Sequence, residues 1–424
     1  MKSIRFLIFL GMLMIAFPGS GSAQENSFKS VLKSFIDTAL KDNPEIKEFQ
    51  NRIKAAEEVP SQVSSLDDPI LQFQLMNLPV DTFDFSQENM TQKLFSLSQK
   101  LPYPGKLGLK VEIAEKNVDI SEQDLEEVRL AITRDVKLAF YELCFVLEAT
   151  NITQENKTLL EQFIIIAESK YSVGKGLQQD VLKAQVELSK IMERLIELQK
   201  LSGFEKAKLN SLMNLLPQAP LTIPHGIVKT NFNFTVEKLQ ATAEKHRPLL
   251  SKILSIKERY GSSKKLAEKE YYPNFNVGFK YGQREGNSQI DRADFVSAFV
   301  GINIPIWYKT KQSRRVSETA YKVEMAGETY NRAKNQIFLK IKELVDKEQQ
   351  GNKTLQLIAQ GILPQARQSL ESALAGYSVD KVDFLTLLSN QVTMFNWQIR
   401  YHRELTDYEK NLAEVEHSAG KNLF

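Results

Sequence analysis

Apolar and polar positions divide the chain into two kinds of segment, and the order of those segments occurs twice. In PILQFQLM, Leu71, Phe73 and Leu75 interleave with Gln72 and Gln74; in KLFSLSQKL, Phe95, Leu97 and Leu101 interleave with Ser96, Ser98 and Lys100. Further on, Phe275, Val277, Phe279 and Tyr281 alternate with Asn276, Gly278 and Lys280, and Val296, Ala298, Val300, Ile302 and Ile304 with Ser297, Gly301 and Asn303. Period two predicts four strands, each with an apolar and a polar side. A stretch of helical period follows each pair. Val111, Val118, Leu125, Ile132 and Ala139 recur every seven residues, and Val181, Ala184, Leu188, Ile191, Leu195 and Leu198 advance in steps of three and four, which is coiled-coil spacing.

The first of these stretches has no proline and one glycine, Gly108, between Lys106 and Lys170. It predicts a helix of roughly 95 Å at ~1.5 Å per residue. Its counterpart runs from about Lys311 to Ala375, with Gly361 and Pro364 marking a kink or unwinding near its end. A helix opened by proline precedes each strand pair, Pro44 to about Glu58 and Pro248 to about Glu270.

The two halves are copies of one unit. Asn43-Pro44 answers Arg247-Pro248 at an offset of 204, Leu101-Pro102 answers Ile304-Pro305 at 203, and YSVGKGLQQDVLKAQV from Tyr171 answers YSVDKVDFLTLLSNQV from Tyr377 at 206. The predicted organisation is residues 24–216 as the first repeat, a connector over 217–236 that begins PQAPLTIPHG, and residues 237–424 as the second repeat.

Composition agrees with a folded, helix-rich chain: 424 residues, 42% hydrophobic and 25% charged. Residues 1–23 read as a secretory signal, with Lys2 and Arg5, an apolar run from Phe6 to Phe17, and Gly21-Ser22-Ala23 before the cut. Removing it leaves 53 basic against 52 acidic residues, a net charge of +1, so nothing points to nucleic acid. The one cysteine, Cys144, reads as a small buried residue, and its distance from the cleavage site excludes an N-terminal lipid anchor. No second apolar run is long enough for a spanning helix. An exported chain with alternating strands of this length is a candidate for an outer-membrane barrel, against an ordinary sheet packed on helices.

The duplication, the run Gln99-Lys100-Leu101-Pro102-Tyr103-Pro104-Gly105-Lys106 leading from strand to helix, and the motif of Tyr171, Gly174, Asp180 and Val181 resemble the TolC-like outer-membrane efflux proteins. The Pro-Tyr-Pro-Gly-Lys form is most similar to the heavy-metal (CzcC/CusC-type) branch. The resemblance implies a mainly α fold with a small membrane β part. Three chains would each give four strands to a twelve-stranded barrel, and their helices would form a periplasmic tunnel. It implies an exit duct in the outer membrane, with a periplasmic adaptor and an RND-type inner-membrane pump as partners, no cofactor and no enzymatic activity. Drug efflux, type I protein secretion and a pore-less periplasmic scaffold are the other readings.

No catalytic or metal constellation is legible. His225, His246, His402 and His417 are scattered, Met76 and Met90 read as gap-fillers, and no phosphate loop or Gly-x-Ser-x-Gly occurs. The charge runs Glu122–Arg129 and Lys340–Lys347 read as solvated helix faces. Pro102, Pro104, Gly105 and Pro305 are expected to re-aim the chain from strand to helix. The doubled stretch reads as the turn of a helical hairpin, and the resemblance makes it the tunnel's periplasmic end, which closes the entrance and docks the adaptor. Val173, Gly174, Lys175, Asp180 and Val181 in the first copy, and Val379, Asp380, Lys381 and Asp383 in the second, are the candidates. Salt bridges among Lys175, Lys381, Asp180, Asp380 and Asp383 are expected to hold it shut. Asp380 stands where glycine is expected, and Thr386 where Asp180 has its counterpart.

Overall fold

The computed structural model describes residues 20–224 and 226–424, with side chains from residue 28 onward. The expected signal segment lies outside these residues except for 20–23, and so does His225. The first half contains α1 (Ser20–Asp42), α2 (Pro44–Glu57), α3 (Val59–Ser64), β1 (Ile70–Met76), β2 (Gln92–Leu101), α4 (Lys106–Ser172) and α5 (Gln178–Leu212). The second contains α6 (Val236–His246), α7 (Pro248–Lys269), β3 (Phe275–Gln283), β4 (Phe295–Ile302), α8 (Gln312–Leu357), a π turn (Ile358–Ile362), α9 (Leu363–Ser378) and α10 (Phe384–Ala419). The strand-pair and helical-hairpin unit is duplicated as the sequence pattern predicts.

Helices α1 and α6 precede the proline-opened helices and are not legible in the pattern. The residue before a proline is pushed out of the helical region. Asn43 (ψ 129°) and Arg247 (ψ 114°) are accordingly extended, so each proline divides a helical pair. Asn43 also caps α2, its side chain accepting from the Glu45 amide at 2.8 Å.

At 67 residues, α4 is roughly 100 Å long. Its heptad positions Leu125, Ile132 and Ala139 are buried, as are Val181, Ala184, Ile191 and Leu198 of α5, so the spacing marks the packed seam. The kink expected at Gly361 and Pro364 is the π turn. Pro364 has no N–H to give the Gln360 carbonyl and its ring crowds that turn, so the helix widens by one residue before it.

Equivalent cores recur in the halves. Phe28, Ile46 and Phe140 join α1 and α2 to α4, while Leu239, Leu250, Ile341 and Val415 join α6 and α7 to α8 and α10. At the far end, Phe163 of α4, Ile191 of α5, Tyr377 of α9 and Phe384 of α10 share one cluster, so both hairpins end side by side.

The charge runs are less solvated than expected. Glu127 pairs with buried Arg247, and Asp124 lies 2.6 Å from Lys252, so α4 turns this run towards α7. Within Lys340–Lys347, Ile341, Leu344 and Val345 are buried. Cys144 is buried, and burial pushes its thiol up to about 12.

Candidate functional site

The strands form one antiparallel sheet in the order β1-β2-β3-β4, and the β2–β3 pairing joins the repeats. Directly opposed residues share a face, so register decides what each side presents. Leu71, Leu97, Phe279 and Ala298 form one cross-strand row and Phe73, Phe95, Tyr281 and Val296 the next. Leu71 (75% exposed) and Val296 (77%) show that none of the described residues covers this apolar face. The rings of Phe73 and Phe95 meet at 5.0 Å, so the face is a continuous packed surface. On the opposite side Gln72, Ser96, Lys280 and Ser297 make a polar row. The outer strands, β1 and β4, each leave one edge unpaired. The alternation expected to reach Ile304 stops at Ile302, where Asn303 instead accepts the Asn274 amide through its side chain.

At the corner below β2, Pro102 and Pro104 end the ladder. Gly105 adopts φ +87°, a left-handed conformation that glycine enters without strain, and opens α4. Lys106, buried at the foot of α4, donates to Asn274 Oδ1 at 2.7 Å and to the Tyr272 carbonyl at 2.9 Å. The same Asn274 oxygen accepts the Tyr103 amide at 3.1 Å, and Tyr103 stacks on Tyr272 at 4.6 Å. Burial holds the Lys106 ammonium below the usual lysine range. Lys106 and Asn274 therefore bind the first corner to the start of β3, a role the sequence did not disclose. Pro305 lies in the longer second corner, between β4 and α8.

The doubled stretch folds the same way twice. Gly174 donates to the Tyr171 carbonyl and Lys175 to that of Lys170, at 3.0 and 2.9 Å. Asp380 donates to Tyr377 and Lys381 to Gly376, at 3.4 and 2.9 Å. This is the helix-ending turn that needs a left-handed residue. Gly174 (φ +73°) and Asp380 (φ +58°) both provide it, so Asp380 keeps the conformation although it departs from glycine. The carboxylates differ more. Asp180 sits in the first turn of α5 without capping it, whereas Asp383 caps α10 by accepting the Thr386 amide at 2.7 Å.

Within one chain the tip carboxylates meet partners other than the expected lysines. Asp380 pairs with Lys170, which also donates to the Tyr377 carbonyl at 2.5 Å and lies 4.1 Å from the centre of that ring. The hydrogen bond from Lys170 holds the Asp380 carboxyl below the usual range, and Lys175 adds a weaker pull. Asp383 is engaged by its own helix. Val173, Val379, Lys175 and Lys381 are exposed at the tip, and Val181 is buried beneath it. The sequence signal for Lys170 was its position just before the repeated tyrosine, where the second copy has Gly376.

Residues 35–215 match the outer membrane efflux protein family. The match falls within the expected first repeat. The described chain carries the fold of outer-membrane channels: it resembles the outer membrane protein VceC from Vibrio cholerae at 16% identity and a TM-score of 0.78, over 94% of this chain and 98% of that one. The outer-membrane channel OprN has 15% identity and a TM-score of 0.77, over 94% and 92%; CusC has 14% and 0.76, over 93% and 92%. The three are equally similar, so no heavy-metal branch stands out. No curated protein matches the sequence. The matched family and these structures are efflux proteins and channels, and none is an enzyme.

Among the described residues, no helix is long and apolar enough to cross a membrane, and no three His, Cys, Asp or Glu side chains gather as metal ligands. His246 is exposed at the end of α6. His402 lies 3.9 Å from Glu148. His417 sits among Arg134, Arg247 and Glu127, where burial and the two arginines hold its pKa down to about 3.

Proposed function

We propose that the protein is the outer-membrane exit duct of a tripartite efflux pump. The observation that carries this reading is a four-stranded sheet with one exposed apolar face and two open edges, set on helical hairpins roughly 100 Å long. Open edges invite pairing with another chain. Three copies, each closing β1 against the next copy's β4, form a twelve-stranded barrel with no free edge. Its apolar face then meets lipid, its polar face lines a lumen, and the hairpins build a tunnel into the periplasm. Residues 1–23 direct export, and residues 24–216 and 237–424 act as the repeats joined by 217–236.

The tunnel ends at Val173, Gly174, Lys175, Asp180, Val181, Val379, Asp380, Lys381 and Asp383. These residues close the entrance and dock a periplasmic adaptor that couples the duct to an RND-type inner-membrane pump. Pro102, Pro104, Gly105 and Pro305 re-aim strands into helices. The likeness of the Pro-Tyr-Pro-Gly-Lys corner to that of the heavy-metal branch supports heavy-metal ions as cargo.

Fractionation of cells expressing the full chain, with chemical cross-linking, tests the duct: an outer-membrane trimer is expected, and a soluble monomer overturns it. A deletion strain tests the cargo separately, through sensitivity to metal salts and to drugs.

A further inference from the structure

We infer that the barrel lumen prefers anions, and that Lys100 and Lys280 set this preference. The inference rests on the duct reading, in which the polar face of the sheet lines the lumen. The four strands contain Lys93, Lys100 and Lys280 and no Asp, Glu or Arg. Register separates the three lysines. Lys93 lies opposite Leu75 and Gln283, on the side of the apolar rows, and is neutralised by Glu285 at 2.5 Å. Lys280 lies in the polar row with Gln72, Ser96 and Ser297, and Lys100 lies opposite Asn276 on the same side.

Both lumen-side lysines are exposed, and neither makes an ion pair among the described residues. Lys280 rests its ammonium 5.2 Å from the centre of the Phe299 ring, and Phe299 packs where a side chain at Gly278 would stand. That contact holds the Lys280 ammonium near the sheet without cancelling its charge. Lys100 shares a recess at the foot of the sheet with Asp67 and Glu270, whose charges Lys106 and Lys110 match, so the recess keeps one net positive charge.

Three copies place six ammonium groups around one lumen whose walls have a low dielectric, and such walls focus the field on the passing ion. Screening acts over ~10 Å at 0.1 M salt and ~30 Å at 0.01 M, so the preference grows as salt is diluted. Free divalent cations are disfavoured in such a lumen. A metal cargo would cross it more easily as a neutral or anionic complex.

The test is the reversal potential of the full-length protein in a planar bilayer under a gradient of dilute KCl, from about 0.1 to about 0.01 M. Chloride is expected to permeate severalfold better than potassium, with the ratio approaching one in about 1 M KCl, where screening is complete within ~3 Å. Lys100→Gln with Lys280→Gln should bring the ratio in dilute salt close to one. Lys93→Gln should leave it unchanged. A potassium-selective wild type, or a double variant that keeps the chloride preference, overturns the inference. A folded, membrane-inserted protein that does not conduct even when Asp180→Ala and Asp383→Ala are introduced at the tip overturns the duct reading instead.

Discussion

Lys170 of the first repeat reaches across the tip to Asp380 of the second, binding at once its carboxylate, the neighbouring Tyr377 carbonyl and the Tyr377 ring. One lysine thus ties both halves of the duplicated stretch. Lys170→Ala should free the second turn, read as faster amide exchange at Val379, Asp380 and Lys381. Asp380→Gly should lose the ion pair but keep the left-handed turn, so its exchange should rise less than that of Asp380→Ala, which must place a Cβ at φ +58°. Exchange unchanged from the wild type in both Lys170→Ala and Asp380→Gly would exclude the ion pair as the tie.

The corner makes a second prediction. Asn274 accepts from both the Tyr103 amide and the Lys106 ammonium, and Lys106 is buried. Removing that oxygen leaves buried donors unsatisfied, at about 1–3 kcal/mol. Asn274→Ala should lower the unfolding midpoint in detergent accordingly. Adding Lys106→Met should recover part of the loss, because one stranded donor goes with the lysine. Full additivity of the two changes would argue against a shared contact.

The faces of the sheet predict opposite tolerance. Phe279 sits mid-strand on the apolar side, 65% exposed, while Ser96 points to the other side. Phe279→Arg should destabilise the membrane-inserted form by roughly 2–4 kcal/mol, as a cation facing mid-bilayer lipid does. Ser96→Arg, opposite Lys280, should cost less than about 1 kcal/mol. Unfolding from lipid vesicles measures both, and equal costs would remove the assignment of faces.

The segment between the repeats predicts a pH dependence. Glu409 of α10 accepts the Thr230 amide at 2.6 Å and its hydroxyl at 2.9 Å, with Tyr141 beside it. Burial pushes the Glu409 carboxyl up to about 7, against the opposing hydrogen bonds from Thr230 and Tyr141. The folded chain then holds a proton that the unfolded chain has released above about 4.5. The contribution to stability is fully present below that value and is lost as pH rises to about 7. It amounts to roughly 3 kcal/mol at most. Glu409→Gln should flatten the unfolding free energy across this window. An unchanged slope would show that Glu409 is ionised throughout.

Strands, long helices and duplication were legible because each rests on local periodicity. Leu71-Phe73-Leu75 alternates whatever packs beside it, and Leu125-Ile132-Ala139 marks a seam before its partner is known. A break at Pro364 was legible for the same reason, since it lacks its N–H in any fold, but that the helix widens into a π turn there was not. Helices α1 and α6 were missed because the prolines that follow them looked like beginnings rather than divisions.

Sequence determined the left-handed turn twice, through hydrogen bonds spanning at most five residues, and it holds whether glycine or aspartate fills the site. Tertiary structure decided what those turns touch. Lys170 and Asp380 are 210 residues apart, Lys106 and Asn274 168, and no period in the chain encodes such a distance. Charge was the poorest guide, because an ion pair depends on which helix faces pack together. That packing turned Glu127 inward to Arg247, and left Asp383 to its own helix while Asp380 found Lys170.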